Sequence, residues 1–138
     1  MKKGYSYIVL FLLLLTAFTE IRGQNYIGKS KSEIPALLKS AYPQFKLDKE
    51  VVNHAYNYLK FVDKVSEQTL LFFLSNKDIC TYVRWISDYS NLNDMIAMLN
   101  KNYHKNGPNS WSYGDNGDDY TVTLVEGEWY FTVSFRKN

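Results

Sequence analysis

Apolar residues change their spacing several times along the chain, and each change marks a segment. Residues 8–18 form an apolar run, interrupted only by Thr16, that contains the consecutive Leu12, Leu13, Leu14 and Leu15. A polar lead-in follows over residues 24–29. Ile34, Leu37, Leu38 and Ala41 then recur at the i, i+3, i+4, i+7 spacing of one helix face. Ser30 and Glu33 have the spacing of a capping box. Pro35 conflicts with a cap at Ser30 and suits one at Ser32, where it falls in the first turn and removes no hydrogen bond. Pro43 ends the helix. Residues 44–55 follow no single period: Phe45 and Leu47 alternate with polar residues, while residues 48–54 suit a helical turn.

Beyond residue 55 the period shortens. Tyr56, Tyr58, Phe61 and Val62 predict a strand, with a turn at 63–66. Residues 69–74 are a continuous apolar run, predicted to be a central strand buried on both sides. A turn at 75–78 leads to a third strand over 79–86, with Cys80, Tyr82, Arg84 and Ile86 on one face and Ile79, Thr81, Val83 and Trp85 on the other. Ser90 or Asn91 can cap a second helix with Leu92, Met95, Ile96, Leu99 and Tyr103 as its stripe, stopped by Asn106, Gly107 and Pro108. A short strand over 110–113, a turn over 114–118, a strand over 120–125, a hairpin turn at Glu126, Gly127 and Glu128, and a strand over 129–135 complete the chain. The predicted fold class is α+β. Two successive helix-plus-three-strand-meander units, roughly 30–88 and 90–138, place their helices on one face of an antiparallel sheet.

The stretch Ile27, Gly28, Lys29, Ser30, Lys31, Ser32, Glu33, Ile34, followed by Leu37 and Leu38, resembles the opening of small exported α+β modules. The outer-membrane assembly lipoproteins and the β-lactamase-inhibitor-like folds begin in this way. The resemblance spans about a dozen residues and implies architecture alone. The chain lacks the lipidated cysteine of the first group and the cysteine pairs found in the second, so no functional residue carries over.

Charge and cysteine content narrow the picture further. Lys2 and Lys3 before the apolar run, and the polar residues 19–22 with Gly23 after it, make the three-part pattern of a cleavable export signal. The run is too short for a spanning helix, which needs about 20 residues. Residues 1–23 are therefore expected to be a signal peptide, and residues 24–138 a single exported domain, periplasmic or secreted, with no membrane span. Loss of Lys2, Lys3, Arg22 and Glu20 leaves 13 basic and 13 acidic side chains. That neutral balance gives no electrostatic reason to expect nucleic acid. One cysteine, Cys80, excludes an intramolecular disulfide and reads as a small buried hydrophobe.

No set of residues assembles into a reaction. His54 and His104 lack companion ligands. Asp115, Asp118 and Asp119, with Asn116 and Gly117 between them, have the oxygens for calcium, but they do not match an EF-hand loop and read as a hairpin turn built on Asn-Gly and Asp chemistry. There is no nucleophile elbow and no phosphate loop. Neither catalysis nor a cofactor or metal is expected. The 19 aromatics of residues 24–138 are the distinctive feature, because Trp and Tyr concentrate at interfaces. Trp111, Tyr113 and Tyr130 are the candidate binding residues, and a protein partner is the expected ligand. The alternatives are a carbohydrate or small ligand stacked on exposed Trp and Tyr, and an enzyme with an unrecognised site.

Overall fold

The computed structural model describes residues 25–138, and the expected signal peptide at 1–23 lies outside the described residues. In chain order the elements are α1 (Ile34–Ala41), β1 (Lys46–Val52), β2 (Asn57–Asp63), β3 (Gln68–Leu74), β4 (Cys80–Asp88), a 3-10 turn (Tyr89–Asn91), α2 (Leu92–Asn102), β5 (His104–Gly107), β6 (Ser110–Asp115), β7 (Asp118–Glu126) and β8 (Tyr130–Lys137). All eight strands join one antiparallel sheet in the order β1-β2-β3-β4-β8-β7-β6-β5.

This architecture corrects the expected pair of helix-plus-three-strand units. The described residues form mostly one eight-stranded sheet with two short helices. The two strands missing from the sequence reading are β1 and β5, the outer edges of the sheet. Six of the seven residues of β1 are exposed, and β5 buries none of its four. With little to bury, neither strand shows hydrophobic alternation, so residues 48–54 suited a helical turn as well as a strand. Lys46, Lys49 and Lys105 on these edges discourage pairing with a further strand.

Local chemistry sets the other boundaries. The Glu33 carboxylate accepts the Ser30 amide N–H at 2.8 Å, half of a capping box. The helix proper begins at Ile34, which leaves Pro35 in the first turn where no amide is needed. Asn116 and Gly117 both have positive φ and close the β6–β7 hairpin as a two-residue turn.

One face of the sheet carries the whole core. Phe61, Leu70, Phe72, Val83, Trp85, Val122, Leu124, Phe131 and Val133 point to it, and α1 adds Ile34 and Leu38 while α2 adds Met95 and Leu99. A β-bulge in β4 opposite Phe73 and Leu74 brings Cys80 onto this face, although alternation groups it with Tyr82 and Arg84.

Candidate functional site

Among the described residues no helix lies over the opposite face of the sheet. Register places Tyr58, Phe73 and Tyr82 side by side across β2, β3 and β4 on this open face, with Leu71 and Arg84 in the neighbouring row and Thr69 and Ile86 beyond them. The rings of Tyr58 and Phe73 stand 5.6 Å apart, and those of Phe73 and Tyr82 5.5 Å apart. The Arg84 guanidinium carbon lies 5.9 Å from the Phe73 centroid and 5.6 Å from that of Tyr82. That cation–π packing holds an exposed guanidinium in place with its N–H edges free.

The aromatic row was only half visible in the sequence. The continuous apolar run of β3 predicts burial on both sides. In the structure Leu70, Phe72 and Leu74 are buried, and Thr69, Leu71 and Phe73 are half-buried on the open face. Alternation in β4 had already grouped Tyr82, Arg84 and Ile86, but nothing local showed that their face lacked a covering layer.

Past β4 the open face turns hydroxyl-rich. Thr132 and Ser134 of β8, Thr121 and Thr123 of β7, and Ser110 and Ser112 of β6 share it. Tyr82 donates its hydroxyl hydrogen to Ser134 Oγ at 2.8 Å, which joins the two halves. Arg136 faces Tyr82 across β4–β8, so it stands diagonally beside Arg84. Among the described residues neither arginine pairs with a carboxylate, whereas Lys60 on the same face holds Asp48 at 3.2 Å.

The three candidate binding residues lie in different places. Trp111 is fully buried at 0% exposure in the core, and its indole N–H donates to Asn100 Oδ1 of α2 at 2.9 Å. Tyr113 shares that core face, stacks on Tyr120 with centroids 4.8 Å apart, and donates its hydroxyl hydrogen to Asn25 Oδ1 at 3.1 Å. Tyr113 is half-buried, and Tyr130 is the exposed one of the three, 51% open at the start of β8 on the open-face side. Its neighbour Trp129 is 76% exposed, because the hairpin turn extends over it and β8 begins one residue later than expected.

The remaining chemistry-bearing residues are accounted for locally. Asp118 pairs with Lys137 at 2.9 Å, and Asp115 accepts from Asn25 at 3.0 Å. His54 and His104 are exposed. Cys80 is buried, and burial pushes its thiol up to about 12. Among the described residues no three His, Cys, Asp or Glu side chains gather as metal ligands, and no helix is long and apolar enough to cross a membrane. The open face can bind: rings offer flat apolar area, arginines offer paired donors, and hydroxyls offer both donors and acceptors. No protein-family model, curated protein or solved structure matches the chain.

Proposed function

We propose that this chain is a small exported, non-catalytic binding module that holds a partner protein against the open face of its sheet. One observation carries the proposal. Strand β3 is apolar on both faces, yet α1 and α2 cover only one of them, so Leu71 and Phe73 form an apolar centre that no other element among the described residues covers. Contiguous apolar surface rimmed by polar groups marks interaction sites, and Tyr and Arg are the residues that dominate interface energies. Export rests on the signal pattern of residues 1–23.

The face also selects its partner. Arg84 and Arg136 are the only arginines among residues 25–138, and register puts both at the middle of the open face with Lys49 toward the β1 edge. Guanidinium groups bind carboxylates through two parallel hydrogen bonds. The complementary surface is therefore acidic, with Asp or Glu beside apolar side chains that cover Leu71 and Phe73.

The proposal is tested by affinity capture with tagged residues 24–138 from the envelope and culture fluid of the producing cell. The wild-type chain is expected to retain one protein in stoichiometric amount, and Arg84→Glu, melting at the wild-type temperature, to lose it. Capture that is indifferent to Arg84→Glu contradicts the proposal. Saturable binding of a glycan in place of a protein moves the function to a carbohydrate-binding domain that uses Trp129 and Tyr130.

A further inference from the structure

Two hairpin tips and the start of β1 meet at one end of the sheet. Register pairs Gln68 with Ser87 and Asp88 with Tyr130, so the β2–β3 and β7–β8 turns close at the same end, three strand spacings or about 14 Å apart. Lys46 opposes Val62, which brings the start of β1 there as well. Seven large apolar side chains are exposed among the described residues, and five of them gather at this end: Leu47, Val65, Val125, Trp129 and Tyr130. Val52 and Tyr56 lie at the other end, beside the β1–β2 turn. Val65 is 94% exposed. Single exposed apolar residues are ordinary, but five at one end of a molecule make a surface.

Placement on separate tips decides what that surface fits. Leu47 and Val65 border one open cleft with Val62, while Trp129 and Tyr130 end the other hairpin. Between the tips stands the 3-10 turn, whose Tyr89 donates its hydroxyl hydrogen to the Gly127 carbonyl and braces the β7–β8 tip. A rigid protein would have to match two projections and the polar gap between them, whereas a bilayer interface yields around each one. Trp and Tyr favour that interface, where the ring meets acyl chains and the N–H or O–H meets headgroups.

The charges choose the lipid. Exposed Lys46 and Lys64 flank the Val65 tip, and exposed Glu126 and Glu128 flank Trp129. This mixture matches a zwitterionic headgroup, with its ammonium against the carboxylates and the indole face and its phosphate against the lysines. It is not the basic cluster that draws a protein to an anionic leaflet. We infer that this end of the sheet docks reversibly on a zwitterionic phospholipid surface, with the β2–β3 and β7–β8 tips inserted at headgroup depth. The strands then rise from the membrane, and the aromatic row of the open face stays accessible.

The test uses residues 24–138, which omit the apolar run at 8–18. Trp85 and Trp111 are buried and Trp129 is exposed, so a change in tryptophan emission on adding vesicles reports Trp129. Phosphatidylcholine vesicles are expected to shift that emission to the blue, saturably, and phosphatidylcholine brominated on its acyl chains to quench it. Val65→Ser lies on the other tip and leaves the reporter intact. It is expected to weaken vesicle binding about ten-fold, the partition factor of one valine side chain. Arg84→Glu, on the open face, is expected to change nothing. No blue shift overturns the inference, as does tighter binding to phosphatidylglycerol than to phosphatidylcholine. Equal binding by Val65→Ser and wild type overturns it too, and so does binding lost in Arg84→Glu, which would move the contact to the open face.

Discussion

The Arg84 guanidinium carbon sits 5.6 Å from the ring centroid of Tyr82, on the face of the sheet that neither helix covers. The contact joins a flat apolar surface to a fixed donor. The ring holds the long side chain extended, so less conformational entropy is lost when a carboxylate arrives. Because the pair is exposed, its contribution to folding is small. Arg84→Ala is expected to lower stability by about 1 kcal/mol at most, the scale of a solvent-facing cation–π contact. Chemical denaturation checks this, and a larger loss would mean that Arg84 serves the fold before it serves a partner.

Trp111 behaves in the opposite way. Its ring is wholly enclosed, and its indole N–H ties β6 to Asn100 of α2. Trp111→Ala is expected to cost about 3–5 kcal/mol, the range for truncating a large buried aromatic. Trp111→Phe is expected to cost less, since most of the ring volume stays and the abandoned Asn100 is exposed to water. Denaturant midpoints of the two variants decide the order.

How far the sequence reveals this molecule depends on burial. Helices α1 and α2 and strands β4, β7 and β8 bury one face each, and their periodicity shows it, whereas β3 is apolar at successive positions and read as buried on both sides. Edge strands β1 and β5 bury almost nothing, and their residues read as loop or helical turn. Trp111 read as a candidate binding residue beside the 114–118 turn, yet α2 closes over it and Asn100 accepts its indole N–H. The Tyr58, Phe73 and Tyr82 row comes from three strands, and no local pattern shows that three separate rings will stand side by side. The apolar β3 was legible, but its meaning depended on which layer covered it.

A steric argument singles out Gly127. Its amide donates to the Tyr130 carbonyl at 2.9 Å, and a Cβ at this position would meet that same carbonyl oxygen at 2.8 Å. Neither backbone atom can yield without opening the β7–β8 hairpin. Gly127→Ala is expected to lose about 1–3 kcal/mol, as overpacked sites do. Gly114→Ala is the control: its nearest contact would be an ordinary 3.8 Å, and its expected change lies within about 0.5 kcal/mol. Urea denaturation of the pair separates the two.

The buried phenols set the alkaline limit. Tyr103 is raised from 10.0 to about 12, chiefly by burial, and Tyr26 and Tyr113 are raised further in the same direction. Above pH 10 the unfolded chain releases these protons while the folded chain retains them. The folded state then binds more protons, so stability falls as pH rises. Stability is expected to be complete below pH 10 and to decline as pH rises through about 12. Tyr103→Phe, which has no proton to lose, is expected to shift the alkaline unfolding midpoint upward in circular dichroism. A midpoint at or below that of the wild type would contradict the assignment.

The most direct test of the open face as a partner surface is site-specific photo-crosslinking in the producing cell. p-Benzoylphenylalanine replaces Phe73 at the centre of that face in one strain, and exposed Lys39 on α1 in another. An adduct with a single acidic protein from position 73, and none from position 39, is the predicted result. An adduct from position 39 with none from position 73 would place the partner on the helical side and contradict the account.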